Sequence, residues 1–296
     1  MGAMEVLSRE EWQACAAAHA ARIDAFVQPH LVRRESRVKH PVHDFLFTYY
    51  SQRPAQLRRW HPGYGVGLAD GASYAGLKGY AVSAGSTTEC VAVTAEHVAS
   101  QRVLLETLRR LLSATAGRAA NFGCFGLHEW AMVYRAAEHG KRHDWPLRLG
   151  GGGTDAVVES HRIACSHFDA YRFFTEPARP LNTLSPTSTD RPDFEQPACL
   201  HAGMDLYKHA FRLTPMISSD LVADCFELAR DIRILDMRAA PYDLSGLEID
   251  GHEFEPVRIE TAAGKAAYAE AQRGFAERGA PLRARLVAEC ERLLAE

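Results

Sequence analysis

The sequence predicts a mainly α-helical protein: a multi-helix, bundle-like single domain with a small β-hairpin or meander insertion. The 296 residues are 47% hydrophobic and 24% charged, the balance of an ordinary globular protein. Apolar residues recur at helical spacing over most of the chain. A glycine-rich stretch with short apolar runs interrupts the helices once, at about 61–93, and indicates the β insertion.

Composition also limits the location and the partners. The net charge of −3 argues against a large nucleic-acid footprint. Seven scattered cysteines without a CxxC pair disfavour a disulfide framework. No apolar signal segment or membrane-length run is present, which predicts a cytoplasmic protein without a membrane partner. We expect residues 1–3 to be a cloning remnant and residues 4–296 to form the domain.

The elements follow from local patterns. Pro29 should interrupt the first helical segment, because proline removes a backbone donor and crowds the preceding turn. Ser166 and Asp169 resemble a capping box at a helix start. A loop as long as the one predicted at about 177–197 is commonly functional. The predicted helices are 10–39, 42–51, 94–116, 124–135 and 166–174, two firm helices that begin at Leu200 and after Pro215, and a last one from Ala262.

Two helices around Pro215 carry matching polar stripes, and their short connection predicts an antiparallel hairpin. On the first helix a row of polar residues lies beside a row of apolar residues, the apolar seam. On the next helix a row of acidic residues lies beside a second apolar seam. If the stripes face each other, His201, Asp205, Glu227 and Asp231 could bind iron or manganese, since imidazole with carboxylate suits these ions. Ordinary salt bridges between the helices are the alternative.

Two further groups pair polar with aromatic residues. His128, Glu129 and Trp130 are consecutive, and neighbours on a helix diverge by about 100°, so only one of the first two should point into a pocket. His167 and Asp169 precede Tyr171, Arg172 and Phe173. A pocket with aromatic walls could collect these groups. The chain lacks the P-loop, nucleophile-elbow and dinucleotide fingerprints, which disfavours the enzyme classes that carry them.

Several blocks together resemble a largely actinobacterial family that usually carries the label 3-methyladenine DNA glycosylase. They cover most of the chain: Lys39–Tyr50 (KHPVHDFLFTYY), Gly123–Arg135 (GCFGLHEWAMVYR), Cys165–Phe174 (CSHFDAYRFF), Cys199–Lys208 (CLHAGMDLYK) and Ile232–Asp243 (IRILDMRAAPYD). The resemblance implies hydrolysis of the N-glycosidic bond of an alkylated purine, with alkylated DNA or a nucleobase-containing small molecule as partner.

Such a reaction needs a carboxylate, a proton donor and an aromatic slot for the base. The carboxylate candidates are Asp169, Glu129 and Asp205, and the donor candidates are His167 and His128. The substrate-binding candidates are Tyr171, Trp130, Phe173, Arg172 and Asn182. The alternative is a non-haem iron or manganese enzyme of the helical-bundle kind, acting on a small aromatic or nucleobase-like substrate. The third hypothesis is a binding or scaffold protein without catalytic activity.

Overall fold

The structure is a computed structural model that describes residues 4–50, 52–84, 89–140 and 145–296. The predicted cloning remnant at residues 1–3 and part of the predicted β insertion lie outside the described residues. Among the described helices, none combines the length and the apolar character needed to cross a bilayer.

The protein is mainly α-helical, as the sequence predicts. In chain order the helices are α1 (Arg9–Glu35), α2 (Phe45–Thr48), α3 (Pro54–Leu57), α4 (Ala72–Ala75), α5 (Ala95–Ser100), α6 (Arg102–Ala116), α7 (Leu127–Ala131), α8 (Ala136–His139), α9 (Gly150–Ser160), α10 (Phe168–Tyr171), α11 (Arg191–Phe194), α12 (Leu200–Arg212), α13 (Ser219–Ala239) and α14 (Ala262–Leu294), with a 3-10 helix at Glu176–Leu181. The strands are β1 (Glu5–Leu7), β2 (Val66–Ala69), β3 (Tyr80–Ala84), β4 (Glu89–Val93), β5 (Glu248–Ile249) and β6 (His252–Glu253).

The chain forms two compact units, each assembled from separate segments. Unit 1 takes the residues up to Leu112, together with Leu206–Glu227 and Leu282–Glu296. Unit 2 takes Ser113–Asp205 and Leu228–Pro281. Helices α12, α13 and α14 therefore each contribute residues to both units.

Unit 1 contains a four-stranded sheet in the order β1-β2-β4-β3. The predicted insertion supplies three strands, paired antiparallel from β2 through β4 to β3. The fourth, β1, comes from the start of the chain and pairs parallel with β2, with Glu5 opposite Val66. Beside β3, His61 Nδ1 lies 3.0 Å from the Tyr80 hydroxyl. Burial lowers the pKa of His61 to about 4, so this imidazole is neutral.

Helix α1 continues through Pro29, and the predicted break is wrong. Ser8 and Glu11 close a capping box at its start. Ile23 and Val27 are buried before the proline and His30 is buried after it. This burial on both sides offsets the cost of an internal proline, which is about 3 kcal/mol.

Other predicted helices are shorter or divided. The stretch 94–116 divides at Gln101 into α5 and α6, and 42–51 and 124–135 contain only the short helices α2 and α7. Helix α10 begins after His167, which makes no side-chain cap bond, so the predicted capping box at Ser166 does not form. Hydrophobic spacing locates a helix but leaves its ends to local capping and packing.

Candidate active site: a buried histidine and carboxylate cluster

Unit 2 buries a group of ionisable side chains from distant parts of the chain. We refer to it as the buried cluster, and its members are His128, His167, His201, Glu129, Glu195, Asp205, Asp236, Arg191 and Arg233. Each member is at most 6% exposed, apart from the Arg191 side chain at 17%. Isolated charges are costly to bury, so ion pairs, protons or a bound ion must compensate these groups.

Helix α7 brings two neighbouring residues, His128 and Glu129, into the buried cluster. It starts at Gly126, whose left-handed backbone (φ 69°) suits a residue without a side chain. Both side chains are buried, although neighbours on a helix diverge by about 100°. The reason is that their partners on α13, Asp236 and Arg233, lie one helical turn apart.

The first half of the buried cluster is joined by hydrogen bonds between α7 and α13. His128 Nε2 donates to Asp236 Oδ1 over 2.9 Å, while His128 Nδ1 lies 4.0 Å from Cys124 Sγ. Arg233 Nη1 donates to Glu129 Oε1 over 2.9 Å and to Asp236 Oδ2 over 2.5 Å. Asp236 thus divides its two oxygens between an imidazole and a guanidinium.

Charge attraction decides the protonation of this half. Burial alone would lower the pKa of His128 and raise that of Asp236. Their mutual attraction outweighs burial, so the pKa of His128 lies well above its usual value and that of Asp236 below its own. Burial also opposes the charge of Arg233, but Glu129 and Asp236 hold its pKa above the usual value. The set is therefore an imidazolium and a guanidinium around two carboxylates.

The second half of the buried cluster surrounds His167, which directly precedes α10. His167 Nε2 lies 3.4 Å from Glu195 Oε1 and 3.4 Å from Asp205 Oδ2. Arg191 Nε donates to Glu195 Oε1 over 2.5 Å, and Arg191 Nη2 donates to Asp205 Oδ2 over 2.8 Å. Burial opposes the charge of Arg191, yet the two carboxylates hold its pKa above the usual value.

His201 lies between the two halves. Its ring centroid is 4.5 Å from that of His128, edge-on, and 5.4 Å from that of His167. Burial, followed by the positive charge of His128, lowers the pKa of His201 well below its usual value. The His201 imidazole makes no hydrogen bond to a described residue. A neutral imidazole with an available lone pair can act as a base or as a metal ligand.

The residues predicted around Asp169 lie at α10, next to the buried cluster. The Asp169 side chain is 15% exposed, and its Oδ1 lies 3.3 Å from Arg172 Nε. The Arg172 guanidinium lies 4.3 Å from the centroid of the Phe173 ring. Tyr171 is also partly exposed. Asp169 contributes to the raised pKa of Arg191, which connects this accessible group electrostatically with the buried cluster.

Two other residues predicted to bind the substrate are buried and form hydrogen bonds inside the protein. Trp130 is fully buried, and its Nε1 donates to the carbonyl of Ala239 over 2.9 Å. Asn182 Oδ1 accepts from the Cys165 N–H over 2.7 Å, and its Nδ2 donates to the carbonyls of Cys165 and Leu184 over 2.9 and 2.6 Å.

The predicted metal set divides between the buried cluster and two ion pairs at the surface. His201 and Asp205 belong to the buried cluster. Glu227, 35% exposed, accepts from Arg22 over 2.7 Å, and Asp231, 37% exposed, accepts from Arg278 over 2.6 Å. The acidic stripe is thus compensated by arginines from other helices, and the expectation that it supplies ligands is wrong for these two residues.

Sequence analysis missed Asp236 as the α13 carboxylate of the buried cluster. Asp236 follows Ile232 of the apolar seam by four residues, so helical periodicity places it on the buried side. An acidic residue at a position of the apolar seam was the signal that could have identified Asp236 as buried. Arg191 and Glu195 were missed because they lie in the segment predicted as a loop. In the structure this segment contains the short helix α11, which begins at Arg191 and is directly followed by Glu195.

The first half of the buried cluster also has the spacing of a metal site. His128, Glu129 and Asp236 each offer one ligand atom, and these atoms all lie within 4.8 Å of one another. Glu129 Oε2 has no hydrogen-bond partner among the described residues. An unpartnered carboxylate oxygen in a buried polar site is available for a ligand.

Comparison with protein-family models, with curated proteins and with solved structures finds no match to this chain.

Proposed function

We propose that the buried cluster binds a divalent transition metal, iron or manganese, and that the protein is a metal-dependent enzyme acting on a small aromatic or nucleobase-like substrate. The charge count of the cluster carries this proposal. Four carboxylates against two guanidinium groups and the protonated His128 leave a net charge of −1, which becomes −2 when His128 gives up its proton to bind a metal. One divalent cation, or two protons, would compensate that charge in the interior.

The donor atoms support the metal. His128, Glu129 and Asp236 would supply an imidazole and two carboxylates, and the neutral His201 beside His128 would supply a second imidazole. Two imidazoles with carboxylate oxygens suit iron and manganese, and thiolates are not needed. The unpartnered Glu129 Oε2 is the ligand atom that could bind without losing an existing hydrogen bond.

The surrounding residues have defined tasks in this proposal. A bound metal would supply Lewis-acid activation of a coordinated water or substrate oxygen. Arg233 orients the carboxylates of Glu129 and Asp236 through the bonds described above, and second partners of this kind tune metal affinity. His167, with Glu195, Asp205 and Arg191, forms a charged group next to His201 that can exchange a proton with it.

Metal binding should also release a proton. His128 is protonated in the structure described above, and an imidazole must lose a proton before it binds a metal. Metal affinity should therefore rise with pH through the raised pKa of His128.

The test is a metal titration of the chelator-treated full chain with Mn²⁺, and with Fe²⁺ under anaerobic conditions, followed by elemental analysis. We expect about one ion per chain. Glu129→Gln should lower the affinity at least tenfold, whereas Asp231→Asn and Glu227→Gln, which alter only surface ion pairs, should bind as the parent does. Circular dichroism confirms that each variant is folded. Equal binding by Glu129→Gln and the parent, or no ion bound at pH 8, would refute the proposal.

Hydrolysis of an N-glycosidic bond is the second candidate, and Asp169 is the observation that favours it. Its carboxylate is partly exposed and shares α10 with Tyr171, an arrangement able to stabilise a positively charged sugar beside a stacked base. The assay is release of 3-methyladenine from methylated DNA and from free nucleosides. Metal-independent release that Asp169→Asn abolishes would favour this candidate over the first.

A further inference from the structure

A separate cleft of about 450 Å³ opens on unit 2. Its lining includes Phe125, Ser160, His161, Arg162 and Lys265. The volume falls within the range of about 300–1,000 Å³ that is usual for small-molecule sites.

The permanently charged residues described in the lining of this cleft are all positive. Its described lining carries two permanent cations, Arg162 and Lys265, together with His161, and no carboxylate is among these described residues. Neither cation forms an ion pair with a described residue. His161 Nδ1 lies 2.7 Å from the Val157 carbonyl and donates to it, while His161 Nε2 has no partner among the described residues. Because neither cation has a counter-ion among the described residues, an anion in the cleft could be bound by Arg162 and Lys265.

The cleft also has an aromatic wall. Phe125 has a left-handed backbone (φ 49°), which is uncommon for a residue with a side chain. Backbone strain of this kind is concentrated at functional sites. The Lys265 Nζ lies 6.0 Å from the centroid of the Phe125 ring, so the ring and the cation line the same space. Lys265 also lies in the first turn of α14, where the helix dipole favours a negative charge.

We propose that this cleft binds a small molecule that carries an aromatic ring and an anionic group, either a phosphate or a carboxylate. The ring packs on Phe125, and the anion is bound by Arg162 and Lys265. This site goes beyond the metal centre and does not depend on it, because its lining includes no member of the buried cluster.

The test is isothermal titration of the full chain with phenyl phosphate, benzoate, benzyl alcohol and inorganic phosphate. We expect saturable binding of at least one anionic aromatic probe, and at least tenfold weaker binding of benzyl alcohol and of inorganic phosphate. Comparison of phenyl phosphate with benzoate tells which anion the cleft prefers.

Variants locate the site on the protein. Arg162→Ala and Lys265→Ala should each weaken the preferred probe about tenfold, as loss of one charged hydrogen bond requires. Arg179→Ala removes an exposed arginine of the same unit outside the cleft and should change nothing. Equal binding of benzyl alcohol and the anionic probes, or unchanged binding by both cleft variants, would overturn the proposal, as would the absence of any binding.

Discussion

The substitution Asp236→Asn tests how strongly the buried cluster contributes to stability, and α13 offers a matched control. Asp236 accepts from Arg233 over 2.5 Å with both side chains at most 1% exposed. Five residues earlier, Asp231 accepts from Arg278 over 2.6 Å with the two side chains 37% and 51% exposed. The two ion pairs are nearly equal in length and differ in burial.

The expected costs follow from that difference. Removing one partner of a buried pair costs about 3–5 kcal/mol, because the remaining charges stay buried without compensation. Asp236→Asn removes the carboxylate that pairs with His128 and one of the two that pair with Arg233, so the loss in the free energy of unfolding should fall in this range. An exposed pair contributes about 0–1 kcal/mol, so Asp231→Asn should cost less than about 1 kcal/mol.

The assay is urea unfolding of both variants and the parent at pH 7, followed by far-UV circular dichroism and by tryptophan fluorescence. Agreement of the two probes establishes that a single free energy describes the transition. In about 1 M NaCl, where the Debye length falls to about 3 Å, the effect of Asp231→Asn should shrink and that of Asp236→Asn should persist. Equal costs for the two variants would refute the inference that burial makes the Asp236 contacts important.

Three further outcomes are expected. His61 has a folded pKa of about 4 against about 6.5 when unfolded, so the unfolded chain binds its proton first as the pH falls. Stability should decline by at most about 3 kcal/mol between pH 6.5 and 4, and His61→Gln should reduce this slope in urea titrations; an unchanged slope would contradict the neutral imidazole. The pKa of His128 is raised, so its contribution is complete below about pH 6.5 and is lost as the pH rises through the folded value. Alkaline titration of the imidazole by NMR should find it protonated at pH 7, and a normal pKa would be incompatible with the Asp236 contact. Asn182→Ala removes the bonds to Cys165 and should cost about 2–4 kcal/mol in thermal unfolding, whereas a loss below about 1 kcal/mol would show that solvent replaces them.

Local patterns predicted the helical class and the two helices around Pro215 well. Gly203 and Ile232 are in close contact in unit 2, since a Cβ at Gly203 would lie 2.7 Å from Ile232 Cδ1. In unit 1 the rings of Tyr207 and Phe226 lie 5.0 Å apart. Along the chain the contacts move forward on α12, from Gly203 to Tyr207, and backward on α13, from Ile232 to Phe226. This is the order expected of the predicted antiparallel pair. Periodicity succeeds here because both helices have continuous apolar seams.

These local patterns do not predict contacts between residues that are far apart in the sequence. The pairing of β1 with β2 joins Glu5 to Val66, and no local signal marks a three-residue strand as the edge of a distant sheet. The stripe argument located His201 and Asp205 but assigned them the wrong carboxylates on α13. Which acid is buried depends on where Arg22 and Arg278 lie in space, and their positions follow from the whole fold rather than from helical spacing.

The segmented composition of the two units has a consequence for synthesis on the ribosome. Unit 1 includes Leu282–Glu296, so most of its residues are made long before its last segment leaves the exit tunnel. Unit 2 ends at Pro281 and has all its residues fifteen positions earlier. Every member of the buried cluster precedes Pro281, so residues 282–296 belong to unit 1 and supply none of the cluster. A stop codon after Pro281 would leave unit 1, and not the cluster, as the incomplete part.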